Sequence, residues 1–120
     1  MRVNPGDFIV LDYRNFDGSV VKGIYFVMFH EGLRIKGSNT FLAAKVSTKH
    51  SGFQVPVKSK IVKCLKHDSY INVSTLHRFK ESEVKKIIGR GNDFIYNNVC
   101  GQLTSLVEAA KDQLQGCKGV

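Results

Sequence analysis

The chain predicts a mainly β domain that ends in helices, on three observations. Strand-length runs of β-branched and aromatic residues, each bounded by a turn signal, fill the first two thirds. A helical apolar stripe follows only near the C-terminus, and the 120-residue length suits one domain, residues 1–120, with its own core. Strands first and helices last point to a small curled β-barrel capped by a C-terminal α-helix, with an open antiparallel sheet crossed by one helix as the alternative.

Phe8–Tyr13 and Ile24–Phe29 are the centre of this reading. In the first run Phe8 and Val10 face one way and Ile9, Leu11 and Tyr13 the other, so both faces are apolar. The second run is apolar at every position, as a buried central strand is. Asp17-Gly18-Ser19 between them is a turn signal, which makes the pair a core hairpin with Lys22 where the second strand begins. Asn4-Pro5-Gly6 is an opening turn, and Leu33–Thr40 reads as a polar, basic loop. Thr40–Ser47 is a third strand. Phe53–Val57 is a fourth, kept at an edge by Pro56, which has no N–H to give to a ladder. Lys58–Asp68 is compatible with a strand or a packed loop, and Ser69–Leu76 alternates as a fifth strand.

Glu81–Ile88 predicts a short helix, with acidic residues in its first turn and Lys85-Lys86 in its last, stopped by Gly89-Arg90-Gly91. Asn92 or Asp93 can cap a second helix from Phe94 to Gln113. Its stripe runs through Ile95, Val99, Leu103, Leu106, Val107, Ala110 and Leu114.

Charge narrows the partners. The formal net charge is +8, and no carboxylate occurs between Glu31 and Asp68. That interval holds Arg34, Lys36, Lys45, Lys49, Lys58, Lys60, Lys63 and Lys66, and outside it basic and acidic residues balance. A phosphate-binding face is the preferred reading over a merely solvated basic surface. Cys64, Cys100 and Cys117 form no Cys-x-x-Cys pair, so neither a zinc site nor a redox motif is supported and no cofactor is expected. Reduced thiols, no signal-like start and no run of about 18 apolar residues place the expected protein in the cytoplasm, away from membranes.

Metal-free cleavage of RNA requires activation of the ribose 2′-OH, neutralisation of the non-bridging oxygens, protonation of the leaving oxygen and a grip on the nucleotide. Lys22 and Ser47 stand at strand–loop junctions and carry groups suited to these roles, with Thr48 and His50 close to Ser47 in sequence. The same residues are also compatible with a solvated turn lysine, a strand-end serine bonded to its local backbone and a surface-loop histidine.

A family resemblance bears on the choice. Gly6-Asp7-Phe8-Ile9-Val10 and Asp12, then Lys22-Gly23-Ile24-Tyr25-Phe26-Val27 after a loop, resemble the opening of the MazF/PemK (Kid-like) toxins of type II toxin–antitoxin systems. Ala43-Ala44-Lys45-Val46-Ser47-Thr48 is similar to that family's strand ending in a catalytic Thr or Ser. Asp68–Val73, Leu76-His77-Arg78-Phe79 and Ile87-Ile88-Gly89 are similar to its last barrel strand and the following helix. The resemblance implies an SH3-like barrel, a homodimer, metal-independent endoribonuclease cleavage of single-stranded mRNA, and inhibition by a cognate antitoxin. It places Lys22 and Ser47 at the catalytic Arg and Thr/Ser. The RNA-binding set is Lys45, Thr48, Lys49, His50, Lys58, Lys60, His77 and Arg78. Lys22-Gly23 stands where the family has Arg-Pro, and lysine is a point charge where arginine is a two-toothed fork. A non-catalytic RNA- or protein-binding module on the same barrel, and a gyrase-targeting toxin, are the alternatives.

Overall fold

The computed structural model describes residues 2–14, 17–35, 38–50 and 52–118, with the backbone alone for 13–14, 20–22, 33–35, 38 and 111–118. Its strands are β1 (Asp7–Arg14), β2 (Val20–Ile35), β3 (Ser38–Ser47), β4 (Gln54–Val57), β5 (Ser69–Lys80) and β6 (Val84–Arg90). A short 3-10 turn, Glu81–Glu83, joins β5 to β6, and one helix, α1 (Asp93–Lys118), ends the chain. All six strands belong to one antiparallel sheet ordered β4-β5-β3-β2-β1-β6.

The core hairpin forms as the sequence predicts. Phe8 pairs with Phe26 and Val10 with Ile24, and Ser19 N and Oγ donate to Asp17 Oδ1 at 2.9 and 2.6 Å in the turn. Both faces of the hairpin are covered. Phe8 and Phe26 lie in one buried cluster with Met28, Ile71, Ile95 and Val99, while Ile9, Leu11, Tyr25 and Val27 lie in another with Val3, Phe41, Ala43 and Val84.

Chain connectivity forces the sheet to curl. Four strand spacings separate β5 from β6 in a flat sheet, about 19 Å. The link from Lys80 to Val84 can reach only about 14 Å. The register shifts in β2 after Val27, His30 and Gly32 supply the bend, with Gly32 at a positive φ of 68°. The edge strands β4 and β6 do not pair, so the sheet is curled but not closed into a barrel. It is closer to the open-sheet alternative, with a single helix. Pro56 does sit in an edge strand, and the polar loop predicted over 33–40 is largely strand, β2 running to Ile35 and β3 starting at Ser38.

The helix predicted over Glu81–Ile88 is absent: three residues of 3-10 turn lead directly into β6. Local charge order favours a helix there, but the open edge of β1 offers a ladder, and Val84 and Ile87 pair with Leu11 and Ile9. Gly89 is needed for this approach, because a Cβ on it would lie 2.5 Å from Cys64 Sγ.

Glu81, buried at the 3-10 turn, accepts a hydrogen bond from Val3 N at 2.6 Å and lies 3.5 Å from His30 Nε2. Burial alone would raise its pKa, but Val3 N–H, the Asn39 side chain and His30 outweigh it and hold the carboxyl below its ordinary value. A depressed folded pKa means this contribution is complete above the ordinary carboxylate range and is lost as pH falls through the folded value. Stability should therefore fall on acidification below about pH 4.5, and Glu81→Gln should flatten that limb in melts across pH.

Helix α1 starts where the sequence places it, with Asn92 Oδ1 capping Ile95 N at 2.9 Å. Its stripe is only half used. Ile95 and Val99 are buried and Leu103 and Leu106 partly so, but Val107 is 52% exposed and Ala110 is exposed. The side chain of Leu114 lies outside the described residues. Ile95→Ala should cost about 3 kcal/mol and Val107→Ala under about 0.5, a contrast that thermal melts read directly.

Candidate functional site

A cleft of about 410 Å³ opens where the end of β3 faces the 58–68 loop and β6. Val10, Ile24, Val46, Leu65 and Ile88 form its apolar walls, and Ser47, Thr48, Cys64, Lys66, His67, Ser69 and Lys86 complete the lining. Two lysines and a histidine are thus gathered with three hydroxyls, and the described lining contains no carboxylate. Asp68, between the lining residues His67 and Ser69, and Asp12, two residues after Val10, are engaged elsewhere. Asp68 accepts from Ser59 N and Oγ at 2.9 and 3.1 Å and lies 3.7 Å from Lys58 Nζ, while Asp12 lies 3.8 Å from Lys85 Nζ. The bonds from Ser59 N and Oγ, with Lys58 beside them, hold the Asp68 carboxyl below its usual range.

The 58–68 segment, open between strand and loop from sequence, is a packed loop. Val62 and Leu65 are buried, and Ile61 N and Val62 N donate to Lys58 O at 3.0 Å. That anchoring presents Lys66 and His67 to the cleft. Ser69 Oγ donates to His67 O at 2.8 Å and holds the turn into β5. Burial pushes the Cys64 thiol above its ordinary pKa, so it lines the cleft as an uncharged group. Cys64 and Cys100 are free thiols, and the side chain of Cys117 is outside the described residues.

Ser47 lies in this cleft, at the end of β3 opposite Tyr70. Its Oγ accepts from Lys49 N at 3.1 Å, the local bond expected of a strand-end serine, and its own proton has no acceptor among the described residues. Thr48 lines the cleft beside it; Lys49 and His50 follow on the exposed loop, His50 resting edge-on against Tyr70 at 5.0 Å. Lys22 is in β2, two residues before Ile24 and paired with Asp12; its side chain lies outside the described residues.

The other predicted residues divide. Lys45 is exposed on β3 opposite Tyr25, and Lys58 and Lys60 are exposed at the start of the loop, Lys58 beside Asp68. His77 and Arg78 pair midway along β3, opposite Ala43 and Leu42, four to five residues or roughly 15 Å from Ser47 along the strand. Arg78 is held there by Glu31, Nε to Oε1 at 2.8 Å and Nη2 to Oε2 at 3.1 Å, and this pairing pushes the guanidinium pKa up. His77 is stacked on Phe79 and edge-on to Tyr25. Neither belongs to the cleft. Conversely, His67, Ser69 and Lys86 line it without having been singled out from sequence. The alternation of β6 would have pointed Lys86 and Ile88 the same way, had the segment been read as a strand.

No group of three or more His, Cys, Asp or Glu suited to a metal occurs among the described residues, and no described helix is long and apolar enough to cross a membrane. Compared with models of known families and with curated proteins, the chain matches neither a family nor a protein.

Proposed function

We propose that the protein is a metal-independent endoribonuclease acting on single-stranded RNA, as the toxin of a toxin–antitoxin pair in the cytoplasm. The observation that carries this reading is the cleft at the end of β3, whose lining holds Ser47 together with Lys66, His67 and Lys86 and no described carboxylate. The curl of the sheet, the 3-10 turn and the return of β6 onto β1 support an SH3-like arrangement of the kind the resemblance implies. On this reading the 2′ oxygen bonds to phosphorus and gives its proton to water as the bond to the 5′ oxygen breaks, and His67 protonates that leaving oxygen. Ser47 donates a hydrogen bond to a non-bridging oxygen, and Lys22 and the cleft lysines are assigned to neutralise the charge there. A homodimer and an antitoxin that blocks the cleft complete the proposal.

Incubation of the pure protein with mixed RNA in EDTA, followed by mapping of new ends, tests it. The expected products carry a cyclic phosphate and a 5′-hydroxyl. Absence of cleavage, or a requirement for magnesium, overturns it. The Lys49–Ser47 bond favours a second reading, a non-catalytic RNA-binding module, because it gives Ser47 a structural use of its own.

Both readings require salt-dependent binding. Removing one cation that neutralises a phosphate should lower the slope of log affinity against log salt by about 0.7 for a single strand. Lys66→Ala and Lys86→Ala are each expected to do so, measured by anisotropy titrations at several salt concentrations. A slope near zero in the wild type removes nucleic acid from consideration.

A further inference from the structure

Cations alone would suit any polyanion, but the cleft is more than a basic surface. Val10, Ile24, Leu65 and Ile88 wall it with apolar side chains drawn from β1, β2, the 58–68 loop and β6. Lys66 and Lys86 stand among them. A volume of about 410 Å³ lies in the range of small-ligand sites, which are mostly apolar with a few placed polar groups. A bare phosphate has no use for apolar walls, and a duplex keeps its bases stacked and out of reach. A single strand can splay one base out of its stack, and proteins that read RNA by sequence do so on such bases.

We propose that this cleft is a pocket for one unstacked nucleobase, with the adjoining phosphates on Lys66 and Lys86. The base lies flat between the aliphatic walls, and removing its faces from water supplies the binding energy, at roughly 25 cal/mol per Å² of apolar surface buried. Hydroxyls at the rim meet the base edge and set which bases fit. The pocket makes the protein select single strands, and it fixes which phosphodiester lies beside Ser47. The proposal rests on the nucleic-acid reading above and is independent of whether the strand is cut.

The test uses a 2′-deoxy oligonucleotide, which the proposed chemistry cannot cleave, carrying 2-aminopurine at each position in turn. One position, and not its neighbours, should change its emission on binding the wild-type protein. An abasic site there should weaken binding about tenfold or more. Val10→Phe and Ile88→Phe, each filling the cleft from a different strand, should abolish both effects while retaining the wild-type melting profile. Two substitutions guard against one of them failing to fold. In competition, nucleoside monophosphate should displace the oligonucleotide at lower concentration than ribose 5-phosphate.

Equal competition by the two, or an abasic scan with no sensitive position, overturns the base pocket. If RNA is still cut in EDTA, that result leaves the nuclease reading standing. Tight binding with a sensitive base but no cleavage of RNA upholds the pocket and overturns the nuclease instead. Displacement by an acidic peptide but by no nucleotide overturns both.

Discussion

Lys22→Ala should lower RNA cleavage by about 10³-fold, the loss expected when one preorganised charge aimed at the reacting phosphate is removed. RNA binding should weaken only by the equivalent of a single phosphate contact. The separation follows from timing: negative charge grows on the non-bridging oxygens as the 2′-OH attacks, so a cation aimed at them is worth more in the transition state than in the bound substrate. Lys22 stands in β2 just before the cleft-lining Ile24, with its backbone fixed opposite Asp12 by the hairpin register. Lys22→Arg should retain or raise activity, because a guanidinium can hold two phosphate oxygens at once. Ser47→Ala should cost less, about 10²-fold, as the loss of one hydrogen-bond donor. Single-turnover rates beside equilibrium binding separate the two effects. A Lys22→Ala protein that cuts at the wild-type rate removes Lys22 from the mechanism.

Phe26→Ala should destabilise the fold by about 3–5 kcal/mol, within the range for buried aromatic truncations. Phe26 is fully buried in the central strand, its ring 4.8 Å from that of Phe8 and 6.2 Å from that of Tyr96 on α1. It joins the hairpin to the helix, and Tyr96 OH in turn donates to Met28 O at 2.8 Å. Little can collapse into the space, because β1, β3 and α1 are each held by other contacts. A domain of this size is typically stable by only about 5–15 kcal/mol, so the variant should be largely or partly unfolded at 37 °C. Denaturant titration measures the loss directly, and a cost under about 1 kcal/mol would mean that Phe26 is not the joint described here.

The two faces of the core hairpin, the edge position of Pro56, a cap for α1 at Asn92 or Asp93 and the concentration of cations before Asp68 were all legible in the residues themselves. Each depends on short-range physics: alternation along a strand, a ring without an N–H, a side chain that reaches a helix N-terminus, or the bare count of charges. Ser47 is a different case: its residues alone were equally compatible with a strand-end serine bonded to its local backbone, and the resemblance is what singled it out.

Tertiary structure decided the rest. Glu81–Ile88 carries a helix-like charge order, yet an unpaired edge of β1 some 75 residues earlier in the chain recruits it as β6. That single change moves Lys86 and Ile88 into the cleft. His67 joins it because Val62 and Leu65 bury themselves in the core and carry the loop across, a consequence of packing that local sequence does not encode. Arg78, a phosphate ligand by its charge alone, is instead held in a two-point pair by Glu31 on β2, a partner 47 residues away. Helix α1 shows the same division, since its period is written along the chain, but among its described side chains Ile95, Val99, Leu103 and Leu106 pack on the core while Val107 and Ala110 stay exposed. Local pattern sets what each segment can become, and the long-range pairing of edges and charges selects which of those possibilities is realised.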